Sequence, residues 1–252
     1  STMSGHSKWA SIKHKKGAAD AKRGKVFTKI IREIAVAARA GGGEPDKNPR
    51  LRKAIQDAKN ANMPADNIKR AIQKGTGQLE GVSYEEAIFE GYGPGGVAIY
   101  LTVLTDNRNR TVSEIRHIFT KNGGQIGTQG CVAFRFKRGG TIDIEKAAVA
   151  EEKLMEIALN AGAEDITDEG DMWEVITSPD KFDAVLEAIK KEGVEIVEAT
   201  NGYIPEDYTK VEGKQAHQTL KLVEELEDHD DVQTVASNFD ISPEDLASYE
   251  SS

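Results

Sequence analysis

The sequence predicts an α+β multidomain protein: an N-terminal three-helix bundle followed by two α/β domains of the ferredoxin-like, split β-α-β kind, one inserted in the other. Three observations predict it. Apolar residues recur at three- and four-residue spacing through the first third of the chain. The period changes to strand-like runs from about Gly81. Two β-α-β patterns, residues 97–137 and 203–239, then flank a unit that is complete in itself. The expected domains are residues 1–80, a basic arm and helical bundle; residues 81–137 plus 203–243, a discontinuous α/β domain; and residues 138–202, an inserted acidic α/β domain.

In KVFTKIIREIAVAARAGGG, the residues Phe27, Ile30, Ile31, Ile34, Ala35 and Ala38 share one helical face, and Gly41, Gly42 and Gly43 stop the helix. Pro49 suits a first helical turn, with Leu51, Ala54, Ile55 and Ala58 on the apolar face behind it. Pro64 opens a third helix carrying Ile68, Ala71 and Ile72, with Gly75 as its expected stop. YEEAIFEGYG and GVAIYLTVLT read as a hairpin turned by Gly93-Pro94-Gly95-Gly96. A helix from about Thr111 to Lys121 follows, with capping-box spacing in TVSE, and then a strand, CVAFRFK. The inserted unit alternates strand and helix: GTIDIE, AAVAEEKLMEIALNAG, MWEVITS, PDKFDAVLEAIKKEG and VEIVEAT. After Gly202 come a strand YIPEDYTKVE, a helix GKQAHQTLKLVEELED and a strand VQTVASNF, and the tail SPEDLASYESS is expected to fray.

Charge is distributed one-sidedly. The formal net charge is -9, yet residues 1–80 carry +11, residues 81–140 carry +2 and residues 141–252 carry −22. Between Ser4 and Arg32 nine Lys or Arg face a single acid, Asp20. Such a split points to a basic face for a polyanion and an acidic remainder that favours solubility. Lys8, Lys13, Lys15, Lys16, Lys22, Arg23, Lys25 and Lys29 are therefore the candidate phosphate-binding cations. Trp9 and His14 lie among them as candidates for base stacking, although Trp9 also reads as an anchor onto the bundle, and Phe27 reads as core. Arg108 and Arg110, in TDNRNRT, sit where a strand meets a helix N-terminus and form either a second phosphate site or a tie of the loop to Asp106 or to the acidic domain.

Other chemistries find little footing. The five histidines show no H-x-x-x-H spacing, and no G-x-S-x-G elbow occurs, so neither an enzyme nor a metal site is expected. A G-x-G-x-x-G match at Gly91, Gly93 and Gly96 is followed by a strand rather than a helix, so no nucleotide or other cofactor is expected there, only a tight exposed turn. The acid cluster EELEDHDD, residues 224–231, lacks calcium-loop spacing and reads as a solvated helix end. Cys131, the single cysteine, reads as a small buried hydrophobe in a reducing, cytoplasmic compartment. Apolar runs such as VAIYLTVL are too short for a bilayer, the N-terminus lacks a secretion signal, and Ser1-Thr2 ahead of Met3 reads as an expression scar.

GHSKWASIKHKKGAADAKRGKVFTK, NPRLRKAI, NMPADNIKRAI, FEGYGPGG, TDNRNRT and KNGGQIG, in that order, closely resemble the signatures of the YebC family, whose mitochondrial relatives are translational activators of cytochrome c oxidase. Ser11 and Gly17 depart from the asparagine and alanine common there, without altering the charge pattern. The resemblance implies a non-enzymatic, cytoplasmic regulator of three domains, described both as a DNA-binding transcriptional regulator and as a ribosome-associated translation factor. The expected partner is thus DNA, or ribosomal or transfer RNA, with the ribosome or another protein meeting the acidic domains. A pure protein adaptor without nucleic acid is the remaining alternative, and no membrane partner is expected.

Overall fold

Gly5 opens the first helix, α1 (His6–Lys16), at a point where its φ is +87° and any Cβ would lie 2.6 Å from the Ile241 carbonyl oxygen. The computed structural model describes residues 4–16 and 20–252, without the side chains of residues 16 and 20–22. Helices α2 (Asp20–Gly41), α3 (Pro49–Asn60) and α4 (Ala65–Thr76) share one apolar core. Ile34, Ala37 and Ala38 of α2 meet Leu51, Ala54 and Ala58 of α3 and Ile68 and Ala71 of α4, with Phe27, Ile30 and Ile31 at its margin. Asn48 ties α2 to α3: its side-chain oxygen accepts from the Leu51 amide at 3.1 Å, while its own amide donates to the Ala37 and Gly42 carbonyls. Helix α4 runs past Gly75, the expected stop, to a left-handed Gly77 cap. Gly75 serves packing instead, since a Cβ there would collide with the Ala35 carbonyl of α2. Arg50 joins this helical part to the sheets by pairing with Glu33 of α2 at 2.7 Å and with Glu86 at 2.6 Å.

Strands β1 (Glu85–Tyr92) and β2 (Ala98–Thr105) pair antiparallel along their whole length, Glu85 opposite Thr105 and Tyr92 opposite Ala98. Helix α5 (Arg108–Lys121) starts before the expected capping box. Asn107 is its cap, accepting from the Arg110 amide at 3.1 Å, and Thr111 is buried inside it. The two-residue β3 (Gln125–Ile126) adds to the far edge of β1. The expected strand CVAFRFK is absent. The buried Glu90 carboxylate takes up the backbone N–H groups of Gly130, Val132 and Ala133, which are thereby lost to any ladder, and residues 133–135 form a short 3₁₀ turn. Strand β4 (Phe136–Glu145) begins only at the end of that stretch and enters the second sheet.

That sheet is completed by α6 (Glu151–Ala161), β5 (Asp165–Asp168), β6 (Met172–Thr177), α7 (Phe182–Lys191) and β7 (Glu198–Pro205), in the antiparallel order β5-β6-β4-β7. Strand β5 was not expected, because DITD holds one apolar residue and no alternation to read. Strand β7 starts in the second half of VEIVEAT and absorbs Tyr203, Ile204 and Pro205, which the sequence had placed in the other sheet. The rest of YIPEDYTKVE contributes only β8 (Thr209–Lys210). Helix α8 (Gly213–Asp228) and β9 (Val232–Ser237) then return to the first sheet, whose order is β3-β1-β2-β9, and β10 (Phe239–Asp240) pairs parallel with β8. The tail does not fray. It forms α9 (Pro243–Glu250), capped by Ser242, with Leu246 fully buried and Tyr249 edge-on to Trp9 at 5.6 Å.

Each sheet has its own core, Phe89, Ile99, Leu101, Ile115, Phe119 and Leu220 on the first, Ile142, Ile144, Leu154, Val175, Val185 and Ile189 on the second. Trp9 and Ile12 of α1 belong to the first core. Among the described residues, no helix is long and apolar enough to cross a membrane.

Candidate nucleic-acid interface

The small residues and hydrophobes of α1 face inward, and this decides where its cations point. Ser7, Trp9, Ala10, Ser11 and Ile12 are buried. Ser7 donates to Asp143 of β4 at 2.6 Å and lies 3.0 Å from Glu174 of β6. Burial lifts Asp143 well above the ordinary carboxylate range, and neighbouring Glu174 adds to the lift. His6 stacks on Phe239, with ring centroids 3.9 Å apart, and its Nε2 donates to the Phe239 carbonyl at 2.9 Å. Burial, aided by the charge of Lys13, lowers His6 to about 4 against the pull of that hydrogen bond, so the ring is neutral at pH 7. Trp9, only 4% exposed, is core and offers no face to a base. The stacking role considered for it fails because α9, expected to fray, covers it.

Several candidate cations are likewise turned inward, onto the acidic end of α8. Lys13 lies 3.0 Å from Glu227 and 3.9 Å from Glu198. Burial opposes its charge, but the two carboxylates more than offset this and hold its pKa above the ordinary lysine value. Lys25 and Lys29 donate to the carbonyls of Asp228 and Glu227 at 2.7 and 2.5 Å. Burial pulls Lys29 below its ordinary pKa, Glu227 notwithstanding. Lys8, half-buried, lies 3.4 Å from Asp171. The cluster at 224–231 is therefore no solvated helix end: it is the acidic dock for the basic arm. A groove of about 450 Å³ runs here, but Glu198, Glu224, Glu227 and Asp228 on its walls make it a poor seat for phosphate.

Asp231 closes the same network. It is 2% exposed and accepts from Arg32 at 2.5 Å, Arg110 at 2.8 Å and the Thr111 hydroxyl at 2.6 Å. Burial alone would raise its pKa, and these three donors instead bring it down to about 2. Arg110 also pairs with Asp106 at 3.0 Å, so it acts as a tie between loop and sheet. Arg108 remains outward, its guanidinium 5.5 Å from the centre of the Phe89 ring. Glu114, His229 and Asp231 have the spacing to hold a cation, but Arg32 and Arg110 already occupy both oxygens of Asp231.

Another set of cations faces solvent. Lys15, Arg23, Lys59, Lys69 and Lys74 are exposed, and none of them forms an ion pair among the described residues. His14 is exposed beside Lys15, while the side chains of Lys16 and Lys22 lie outside the described residues. Lys59, Lys69 and Lys74 were not singled out in the sequence. Their signal was available all the same, since each falls off the apolar stripe of α3 or α4.

Residues 84–239 match the family described as TACO1/YebC second and third domain, and residues 7–78 match its N-terminal domain. The chain belongs to the TACO1/YebC family. Its similarity to other TACO1/YebC proteins runs nearly end to end. A probable transcriptional regulatory protein of Desulforapulum autotrophicum is 59% identical over 96% of this chain and 98% of its own length. One of Koribacter versatilis, with the same description, is 59% identical over 97% and 98%. The crystal structure of a conserved hypothetical protein from Aquifex aeolicus superimposes with a TM-score of 0.77 at 49% identity, covering 88% of this chain and 92% of that one. This TACO1/YebC chain thus presents two classes of basic residue, one tied to internal carboxylates and to the carbonyls at the end of α8, the other facing solvent.

Proposed function

We propose that the protein is a non-catalytic, nucleic-acid-binding regulator of gene expression that grips phosphates through the outward cations of α2, α3, α4 and the end of α1. The observation that carries this reading is the set Lys15, Arg23, Lys59, Lys69 and Lys74, exposed and unpaired among the described residues, on a chain whose last 112 residues carry −22. Lys16 and Lys22 join the set by sequence. DNA is the target that the description of the relatives suggests. A second reading, a translation factor on ribosomal RNA, draws on Arg108 and Arg116, exposed on α5 of another domain, which spread the cations beyond any single groove-sized element.

In this reading the organisation is a basic arm and a three-helix bundle of α2, α3 and α4, a split β-α-β domain built on β1, β2 and β9, and an inserted ferredoxin-like domain that begins with β4 and ends with β7, working in the cytoplasm. The acidic domains orient the complex or recruit protein. The test is equilibrium binding to duplex DNA and to folded ribosomal RNA across a salt series. Log affinity falls linearly with log salt, with a slope equivalent to roughly 4–8 phosphates, on the preferred target. A flat plot on both overturns the reading.

A further inference from the structure

Phe134 is 75% exposed, on a loop that is held too firmly for this to be slack. The carboxylate of Glu90, itself 3% exposed, accepts the backbone N–H groups of Gly130, Val132 and Ala133, the last two at 3.0 and 2.6 Å. The Tyr92 hydroxyl donates to the Cys131 carbonyl at 3.2 Å. On the other side Arg135 pairs with Asp207 at 3.1 Å, and Val132 and Phe136 are buried in a small core with Tyr100. Both chain neighbours of the ring are therefore anchored, and the side chain between them is left in water, forgoing the stabilisation that burying a Phe side chain supplies.

We propose that this loop holds Phe134 out as a stacking platform for an unpaired base of RNA, with Lys137 and Arg138 on the adjoining strand meeting the flanking phosphates. The inference rests on the nucleic-acid reading above and adds a second contact, remote from the helical cations. Lys137 and Arg138 are exposed and form no ion pair among the described residues. Arg138 is steadied by Tyr203, over whose ring it lies at 4.9 Å and whose hydroxyl it reaches at 3.2 Å. An exposed aromatic ring three and four residues from unpaired cations, which alternate on the two faces of β4, suits single-stranded nucleic acid, since every base has a π-face and every linkage a charge. A protein pocket would instead favour apolar surroundings, whereas the preceding residues are the exposed Thr128, Gln129 and Gly130. Duplex bases are already stacked, so a lone ring can take up only an unpaired one, of the kind that loops and bulges of folded RNA supply.

The experiment uses the full-length protein and a single-stranded RNA of about a dozen nucleotides carrying one 2-aminopurine, whose fluorescence is quenched on stacking, beside a DNA duplex. The wild type is expected to quench the probe. Phe134→Ala should abolish the quenching and weaken RNA binding about tenfold, with duplex affinity unchanged, whereas Phe134→Tyr keeps both. Lys137→Ala with Arg138→Ala should lower affinity and salt dependence while quenching at saturation persists. Equal RNA binding by the wild type and Phe134→Ala overturns the inference and leaves the helical phosphate site standing. The same Phe134 dependence on single-stranded DNA overturns the assignment to RNA, and loss of a captured protein with RNA binding intact overturns it in favour of a protein dock. No binding of either nucleic acid by the wild type overturns both readings together.

Discussion

Replacing Asp231 by alanine is expected to cost about 3 kcal/mol of stability, because it leaves Arg32, mostly buried, without its carboxylate and Arg110 with only Asp106 and Glu114. A shift in the urea midpoint checks this. The same residue sets a pH dependence. Its folded pKa of about 2 lies below the ordinary value of about 3.9 in an unfolded chain, so the unfolded state binds more protons in that window. Its contribution is complete above about pH 4 and is lost as the pH falls through about 2, so Asp231→Asn should lack that acid-side slope. Gly75 makes the complementary case for a residue with no side chain. Gly75→Ala should destabilise by about 1–3 kcal/mol, although alanine is the better helix former, because the Ala35 carbonyl stands where its Cβ would go.

At the scale of the element, α1 works as a clamp. It touches β6 and β7 of the second sheet, α9, and through Trp9 and Ile12 the core of the first sheet. Trp9→Ala should cost about 3–5 kcal/mol and raise hydrogen exchange along both α1 and α9. His6 gives the clamp its own pH window. A folded pKa of about 4 against about 6.5 unfolded means that docking is complete above about pH 6.5 and weakens as the pH falls toward about 4. Amides of α1 should therefore exchange faster relative to those of α8 between about pH 7 and pH 5 in the wild type, and less so in His6→Phe. None of this docking was legible in the sequence, and the reason is physical. The periodicity of α2, α3, α4, α8 and the β1–β2 hairpin names an apolar face, and each of these was read from it. Helix α1 buries Ser7, Ala10 and Ser11 together with Trp9 and Ile12, and the partners of Ser7 lie more than 130 residues away. Strand β5 and the start of β4 escaped for the same reason, being defined by pairing with β6 and by the Glu90 carboxylate rather than by their own pattern. The candidate site was legible as a charge imbalance but not as a surface, since nothing local tells Lys13 from Lys15.

At the scale of the molecule, the imbalance between +11 in the first 80 residues and −22 in the last 112 does two jobs. Part of it is spent internally, where Lys13, Lys25, Lys29 and Arg32 bind the end of α8 and the residues after it, and the rest faces outward. The division can be read from salt dependence. Replacing Lys59, Lys69 and Lys74 together by alanine should weaken binding to all sequences about equally, because phosphate contacts position without specifying, and should reduce the log–log salt slope by about two to three. Stability should be nearly unchanged, the three side chains being exposed. Lys13→Ala should do the reverse, lowering the unfolding midpoint by stranding Glu227 and Glu198 while leaving the slope as in the wild type. Titrating duplex DNA and folded RNA against the wild type and the two variants at several salt concentrations separates the cases. If Lys13→Ala lowers the slope as the triple change does, α1 leaves its acidic dock when the nucleic acid arrives, and the end of α8 competes with phosphate for the same lysine.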